Sequence, residues 1–199
     1  GSVWKKDEVG GTGIVLMDKK KGQIVARASF IMEGLDRSSF GAELQALEYA
    51  VKIGYDTNKD IAILCDNKSV VNIMKNIIHK GQRAIPRYNM EKWARIQEMA
   101  ATIDIKIFWM PSHGKRAQWH PGEECLQTYG SIATMRHLND AADRAATDAS
   151  EAAFDFFGCA HNRNNRNKAR LQAEGALARQ YEGSRALLES IMEVKEVRN

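Results

Sequence analysis

The run Ile61-Ala-Ile-Leu-Cys65, followed at once by Asp66, Asn67 and Ser69, limits the fold more than any other stretch. Apolar residues at successive positions fit a strand of the buried type. A helix is expected just beyond it, with Asn67 and Ser69 at its start and Val70, Val71, Met74 and Ile77 facing inward. A buried strand that runs straight into an amphipathic helix belongs to an α/β arrangement.

The neighbouring stretches agree with that reading. Ile14-Val15-Leu16 follows a glycine-rich run, and Ile24 to Ile31 is a second strand candidate. Lys19-Lys20-Lys21-Gly22 between them reads as a turn, so the two form a hairpin. Ser38 and Ser39 offer caps for a helix with Leu44, Leu47 and Val51 on one face. Lys75 to Arg87 is a basic stretch, and a helix is expected around Trp93 to Ala101. Ile103 to Trp109 reads as a strand closed by Pro111. Residues 112 to 136, rich in Gly, His and Pro, read as loop, with helix resuming near Asn139 and running to about Phe157. The expected order is strand, strand, helix, strand, helix, helix, strand, long loop, helix, which is an α/β chain with a mixed sheet.

The tail has a different character. Its first part, His161 to Arg170, is basic, and no acid lies between Asp155 and Glu174. Ala176 to Val197 follows as a charged helical pattern carrying Leu187, Leu188 and Ile191. With 199 residues there is room for one ordinary domain and an extension, so the expected division is 1–157 and a basic helical arm over 158–199. A hydrophobic content of 44% with 27% charged residues fits a globular chain, and no apolar run approaches a membrane span. The three cysteines, Cys65, Cys125 and Cys159, are odd in number and scattered. That argues against a disulfide framework and for a reducing compartment, so an intracellular location, nucleus or cytoplasm, is expected. The net charge of +4 permits a polyanionic partner.

Acidic residues fall at the edges of these elements. Glu43 is expected in the first turn of the first helix, Asp66 ends the buried strand, and Asp143 lies one turn into the last major helix. Sites in open α/β sheets gather at strand ends and neighbouring helix starts. Carboxylates converging there need cations between them, and hard cations such as Mg²⁺ take oxygen ligands. Two such ions activate water and stabilise the leaving oxygen of a phosphodiester. Each residue also has a purely structural explanation. The helix dipole favours Glu43, Asp66 is placed to cap a helix, Asp143 suits a solvated face, and His113 suits a loop.

Five stretches together carry a family resemblance: Gly10-Gly-Thr-Gly-Ile-Val-Leu16, Ser38-Ser-Phe-Gly-Ala-Glu43-Leu-Gln-Ala, Leu64-Cys-Asp66-Asn-Lys-Ser-Val-Val-Asn, Trp109-Met-Pro-Ser-His113-Gly and Leu138-Asn-Asp-Ala-Ala-Asp143-Arg-Ala-Ala. In this order they resemble a type 1 ribonuclease H domain, most similar to those of non-LTR retrotransposons, over residues 1 to about 150. The resemblance implies a mixed five-stranded sheet flanked by helices. It implies hydrolysis of the RNA strand of RNA–DNA hybrids with two Mg²⁺ or Mn²⁺ ions. Glu43, Asp66 and Asp143 would hold the metal, and His113 would assist proton transfer or product release. The Asn-x-x-Ala register selects Asp143 over Asp140. An upstream reverse transcriptase module is implied as a partner in the same polypeptide.

Departures from the family pattern matter as much. The family's first catalytic aspartate precedes Gly-Ser at the end of the first strand, and this chain begins Gly1-Ser2. The expectation is a chain that starts one residue after its first metal ligand and lacks the first strand. The alternative is that Gly1-Ser2 is a cloning scar. Asp7, the nearest acid, falls in an expected loop. About 30 residues separate His113 from Asp143, so an insertion around Trp119 to Cys125 must lie over or beside the site. Asn67 stands where many members have serine, and Ser39 and Phe40 replace asparagines of the cellular enzymes. Contacts to the hybrid are therefore expected to be rearranged.

Hybrid recognition reads groove shape and 2′-hydroxyls and holds phosphates with cationic side chains. The resemblance assigns this work to Ser2, Ser39, Asn67, Lys75, Lys80, Arg83, Arg87, Trp93 and Asn139, with Trp93 also the packing anchor of the basic segment. Lys92 belongs to the same basic group, and Arg163, Arg166, Lys168 and Arg170 form a second candidate track. Other readings stay open. One is a catalytically impaired hybrid-binding or structural module without its first metal-binding aspartate. Another is a DNA-cutting relative of the integrase or junction-nuclease kind. A zinc site from His113, His120, Cys125, Cys159 and His161 has spacings that fit no compact tetrahedral pattern.

Overall fold

A computed structural model of the protein describes residues 2–4, 9–32, 38–112 and 119–156. The hairpin encoded around Lys19–Gly22 forms as expected. Strand β2 (Val9–Asp18) pairs antiparallel with β3 (Gln23–Ile31). The turn holds because Asp18 accepts hydrogen bonds from the Lys20 and Lys21 amides at 2.8 and 3.2 Å, and Gly22 supplies a positive φ of 62°. A short strand β1 (Ser2–Trp4) pairs antiparallel with the start of β2, Ser2 opposite Gly11 and Trp4 opposite Val9. The sequence expectation had placed no strand here. Three residues carry no detectable period of their own, and pairing with β2 is what makes them a strand.

Strand β4 (Ile61–Cys65) is parallel to β5 (Ile105–Trp109) in full register, Ile61 opposite Ile105 and Cys65 opposite Trp109. The five strands among the described residues are mixed in direction, as expected, yet fall into two hydrogen-bonded sets, β1-β2-β3 and β4-β5.

Helix α1 (Ser39–Thr57) starts where Ser38 Oγ accepts the Gly41 amide at 3.0 Å, and it ends on Asn58 in the left-handed conformation. Helix α2 (Lys68–Lys80) leads through a 3-10 turn, Gly81–Ala84, to α3 (Met90–Ala100). Residues 112–136, expected as loop, contain α4 (Glu123–Tyr129) and the first turn of α5 (Ile132–Phe156). The physical reasons are local. Glu123 and Glu124 sit in the first turn of α4, where the dipole favours acid, and Gly130 closes it at φ 81°. Ser131 Oγ then accepts the Thr134 amide at 3.0 Å and caps α5. Residues 1–153 form one unit and 154–199 a second. The helical arm expected over 158–199 lies outside the described residues.

Two apolar clusters hold the first unit. Leu44, Val51, Val70, Met74, Trp93 and Ile96 are fully buried together against β4 and β5. Met110, Cys125, Tyr129, Met135 and Leu138 form the other. Each large side chain so buried contributes roughly 1.5–3 kcal/mol of transfer free energy. The glycine run has a separate task. A Cβ on Gly11 or Gly13 would strike the backbone of α5, at Ala146 or Ala142. Glycines on β2 and alanines on α5 thus bring strand and helix into main-chain contact, and this fixes where α5 lies.

Candidate active site

Glu43 projects from α1 one turn beyond its cap rather than within the first turn, where the dipole effect is concentrated. The dipole therefore explains this glutamate less well than the sequence had implied. Asp66 follows the last residue of β4. Capping of α2 is performed by Asn67, whose Oδ1 accepts the Ser69 and Val70 amides at 3.1 and 3.2 Å. The capping explanation for Asp66 thus passes to its neighbour. The Trp109 indole donates to the Asp66 backbone carbonyl at 3.0 Å and ties the end of β5 to the β4–α2 link. Lys68 sits 5.3 Å from the centroid of the Trp109 ring.

These placements gather Glu43, Cys65 and Asp66, with one ligand-capable atom of each within 4.8 Å of the others. The Cys65 thiol is buried and lies 3.8 Å from Glu43 Oε2 and from the Asn67 carbonyl. Burial, and then the Glu43 charge, push its pKa well above the usual thiol range. It is a protonated, weak donor to Glu43, so the oxygens of Glu43 and Asp66 are the hard ligands of this group. That donor chemistry suits Mg²⁺ or Mn²⁺.

Asp143 comes from α5, 11 residues after the first residue of that helix, about three turns in rather than one. Its Oδ2 accepts from Asn139 Nδ2 at 3.2 Å, one turn back on the same face. Both residues line a cavity of about 470 Å³ that Glu43 and Asp66 also line. The three predicted carboxylates thus open on one cavity, two of them as a tight pair.

Of the predicted contact residues, Ser39, Lys75, Lys80, Arg83 and Arg87 are exposed, on the start of α1, the second half of α2 and the link to α3. Ser2 lies on β1. Trp93 requires a correction as a substrate contact. It is completely buried in the core beside Ile96, and its indole nitrogen has no hydrogen-bond partner among the described residues. It anchors α3 and cannot touch a nucleic acid. His113 and Asp7 lie outside the described residues, as do Cys159 and His161 of the weighed zinc set. Cys125 Sγ is buried 3.5 Å from Met135 Sδ, His120 is exposed, and the single metal-capable group among the described residues includes neither. Sequence reasoning missed Cys65, Lys68 and the bonding role of Trp109. Cys65 had one signal, its place directly before Asp66.

No protein-family model matches the sequence, and no curated protein matches it. Solved structures do. The solution structure of the RNase H domain of prototype foamy virus superposes with a TM-score of 0.56 at 21% identity, over 72% of this chain and 83% of that one. The N-terminal RNase H domain of a Mycobacterium tuberculosis protein, fused to maltose-binding protein, gives a TM-score of 0.47 at 17% identity, over 74% and 94%. The prototype foamy virus protease–reverse transcriptase gives 0.48 at 18% identity, and the match spans 75% of this chain but 22% of that protein. The element order, the mixed strands and the superposition on the viral domain establish that this chain has a ribonuclease H-like fold.

Proposed function

We propose that this chain is a divalent-metal-dependent endonuclease that hydrolyses the RNA strand of RNA–DNA hybrids, within an intracellular reverse transcriptase polyprotein of non-LTR retrotransposon type. The observation that carries this reading is the gathering of the Glu43 and Asp66 carboxylates on a cavity that Asp143 also lines. Outside a metal site, packing like charges at that distance costs free energy.

In this reading Glu43, Asp66 and Asp143 hold two Mg²⁺ or Mn²⁺ ions. When bound, the cations supply Lewis-acid activation of water and neutralise charge building on the phosphate. The chain's own groups do the positioning. The Asn139 amide orients Asp143, which lines the cavity, through one carboxylate oxygen. The Cys65 thiol donates to Glu43 and fixes its rotamer from the buried side. Trp109 holds the Asp66 main chain in place. Lys75, Lys80, Arg83 and Arg87 take phosphates, with Lys92 beside them, and Ser2, Ser39 and Asn67 meet the minor groove of the hybrid. His113 assists proton transfer or product departure.

The test is an end-labelled RNA–DNA hybrid incubated with the chain and Mg²⁺ or Mn²⁺. The expected result is cutting of the RNA strand alone, abolished in Asp66→Asn while the fold, read by circular dichroism, is kept. An active and normally stable Asp66→Asn protein refutes the assignment. Salt-sensitive hybrid binding without cutting by the parent chain would instead make it a binding module of the same fold.

A further inference from the structure

Between Asp66 and Glu91 the chain holds five lysines and arginines and no aspartate or glutamate. The same stretch carries Ile78, Tyr88 and Met90, three of the six large apolar side chains most exposed among the described residues. One acid-free stretch thus offers cations and apolar surface together, which suits a partner that is itself both anionic and apolar.

Tyr88 is the most defined part of this surface. It is 58% exposed, and its ring meets that of Phe40 with the centroids 5.7 Å apart and the planes tilted by 54°. Phe40, at the start of α1, is half-buried and packs on the core cluster that holds Leu44, Val70 and Trp93. The Tyr88 ring therefore rests on a ring that the core holds still, and the remainder of it is open to solvent. The main chain beside it is also fixed. Pro86 restricts its own φ, and Asn89 takes a φ of 54° where the chain turns into α3. A ring held in this way loses little freedom when a second ring stacks on it. Arg83 and Arg87, before it in the chain, are exposed. Phe40 also lies three residues before Glu43 on α1, so less than one turn of helix separates the aromatic pair from the first carboxylate of the candidate site.

The cations select a polyanion, and the rings select what it must display. Inside a duplex the base faces are covered by their neighbours, so an exposed aromatic ring finds a stacking partner only in an unpaired base. We propose that Phe40 and Tyr88 form a stacking platform for an unpaired nucleotide at a single-stranded end of a hybrid, with Arg87 on its phosphate. Every base has a π-face, so the platform accepts any of the four. The choice of a hybrid as the parent duplex rests on the proposed function, whereas the stacking itself needs no cutting.

The experiment measures binding without divalent ion, on blunt RNA–DNA hybrids and on hybrids with a short tail on the DNA strand or on the RNA strand. Each tail carries 2-aminopurine, whose emission falls when it stacks. A tail is expected to tighten binding about tenfold and to lose emission on binding. Tyr88→Ala should remove both effects and keep the affinity for the blunt hybrid, and Tyr88→Phe should retain both. Tyr88 is uncharged, so the loss should be the same factor at every salt concentration, with the salt slope unchanged. A merely structural role, acting through Arg87, would lower that slope instead. Tails that add nothing on either strand, or a gain that survives Tyr88→Ala, overturn the proposal. So does self-association of the parent chain that Tyr88→Ala abolishes, because the patch would then cover a second copy. A chain that takes the tail through Tyr88 yet cuts no hybrid keeps the platform and refutes the nuclease reading alone.

Discussion

Gly13→Ala tests how tightly the position of Asp143 depends on a main-chain contact. The new Cβ would land on the Ala142 carbonyl oxygen, 2.5 Å from Ala146 N and 3.0 Å from the Ala145 Cβ, whereas real Cβ atoms essentially never come within 3.0 Å of such neighbours. Two of the three obstacles are backbone, so no rotamer change relieves them. α5 must retreat or β2 must bend. Overpacking of this kind costs about 1–3 kcal/mol and at times more, against a gain of about 0.4–1 kcal/mol from restricting the unfolded glycine. A net loss of about 2 kcal/mol lowers Tm by roughly 4–8 °C for a domain of this size. The catalytic effect is expected to be larger, since Asp143 directly follows Ala142 and a displacement of about 1 Å at a reacting centre costs about hundredfold in rate. Gly22→Ala is the comparison. Gly22 has φ +62° and nothing within 4 Å of its would-be Cβ, so the change strains the hairpin by about 1–2 kcal/mol and leaves α5 alone. Thermal melts and hybrid cleavage on all three proteins give the answer. A Gly13→Ala protein that melts with the parent and cuts at the parent's rate would refute the view that glycine–alanine contact sets the helix.

Other expectations follow from single groups. Asn67→Ala removes the acceptor of two α2 amides and should cost about 1 kcal/mol in denaturant unfolding, even with no nucleic acid present. The Tyr129 phenol is held above its ordinary pKa by burial and then by Cys125, so its contribution is intact below about pH 10 and is lost as pH rises further, at about 1.4 kcal/mol per pH unit. Tyr129→Phe should flatten part of that alkaline decline in unfolding free energy, and an unchanged slope would contradict the assignment. Changing Lys75, Lys80, Arg83 and Arg87 singly to Gln should weaken hybrid binding and reduce the salt slope by about one unit for each true phosphate contact. Titrations at several salt concentrations check this, and a constant slope removes that residue from the interface.

Strong local signals gave correct elements. Ile61–Cys65 forms the expected strand, although among its residues only Cys65 is buried and Ala62 is exposed, and Ser38, Asn67 and Gly22 marked helix starts and a turn by their own chemistry. The segment before Asn139 was misread because Gly, His and Pro near residues 111–122 outweighed the short apolar pair Cys125 and Tyr129, whose spacing signals a helix only once its burial is known. For the carboxylates, sequence named the residues and not their company. Glu43 and Asp66 lie 23 positions apart, and only the packing of α1 beside β4 brings them together. Cys65 entered the site through burial, which no periodicity of five residues can reveal. Trp93 was expected both as the packing anchor of the basic segment and as a substrate contact; its burial with Ile96 on the inward face of α3 is compatible with the first and removes the second.

The bond from Trp109 to the Asp66 carbonyl has a spectroscopic consequence. An indole nitrogen tethered to the main chain of Asp66, with a lysine ammonium beside its ring, senses local electric field. On the proposed function, a divalent ion arriving at Asp66 would alter that field and shift the emission of Trp109, which variants lacking Trp4 and Trp119 would isolate, with Trp93, sealed in the core, as an internal reference. On that reading the protein would carry its own optical gauge of ion occupancy, one that reads the site in the ground state, without substrate and without turnover.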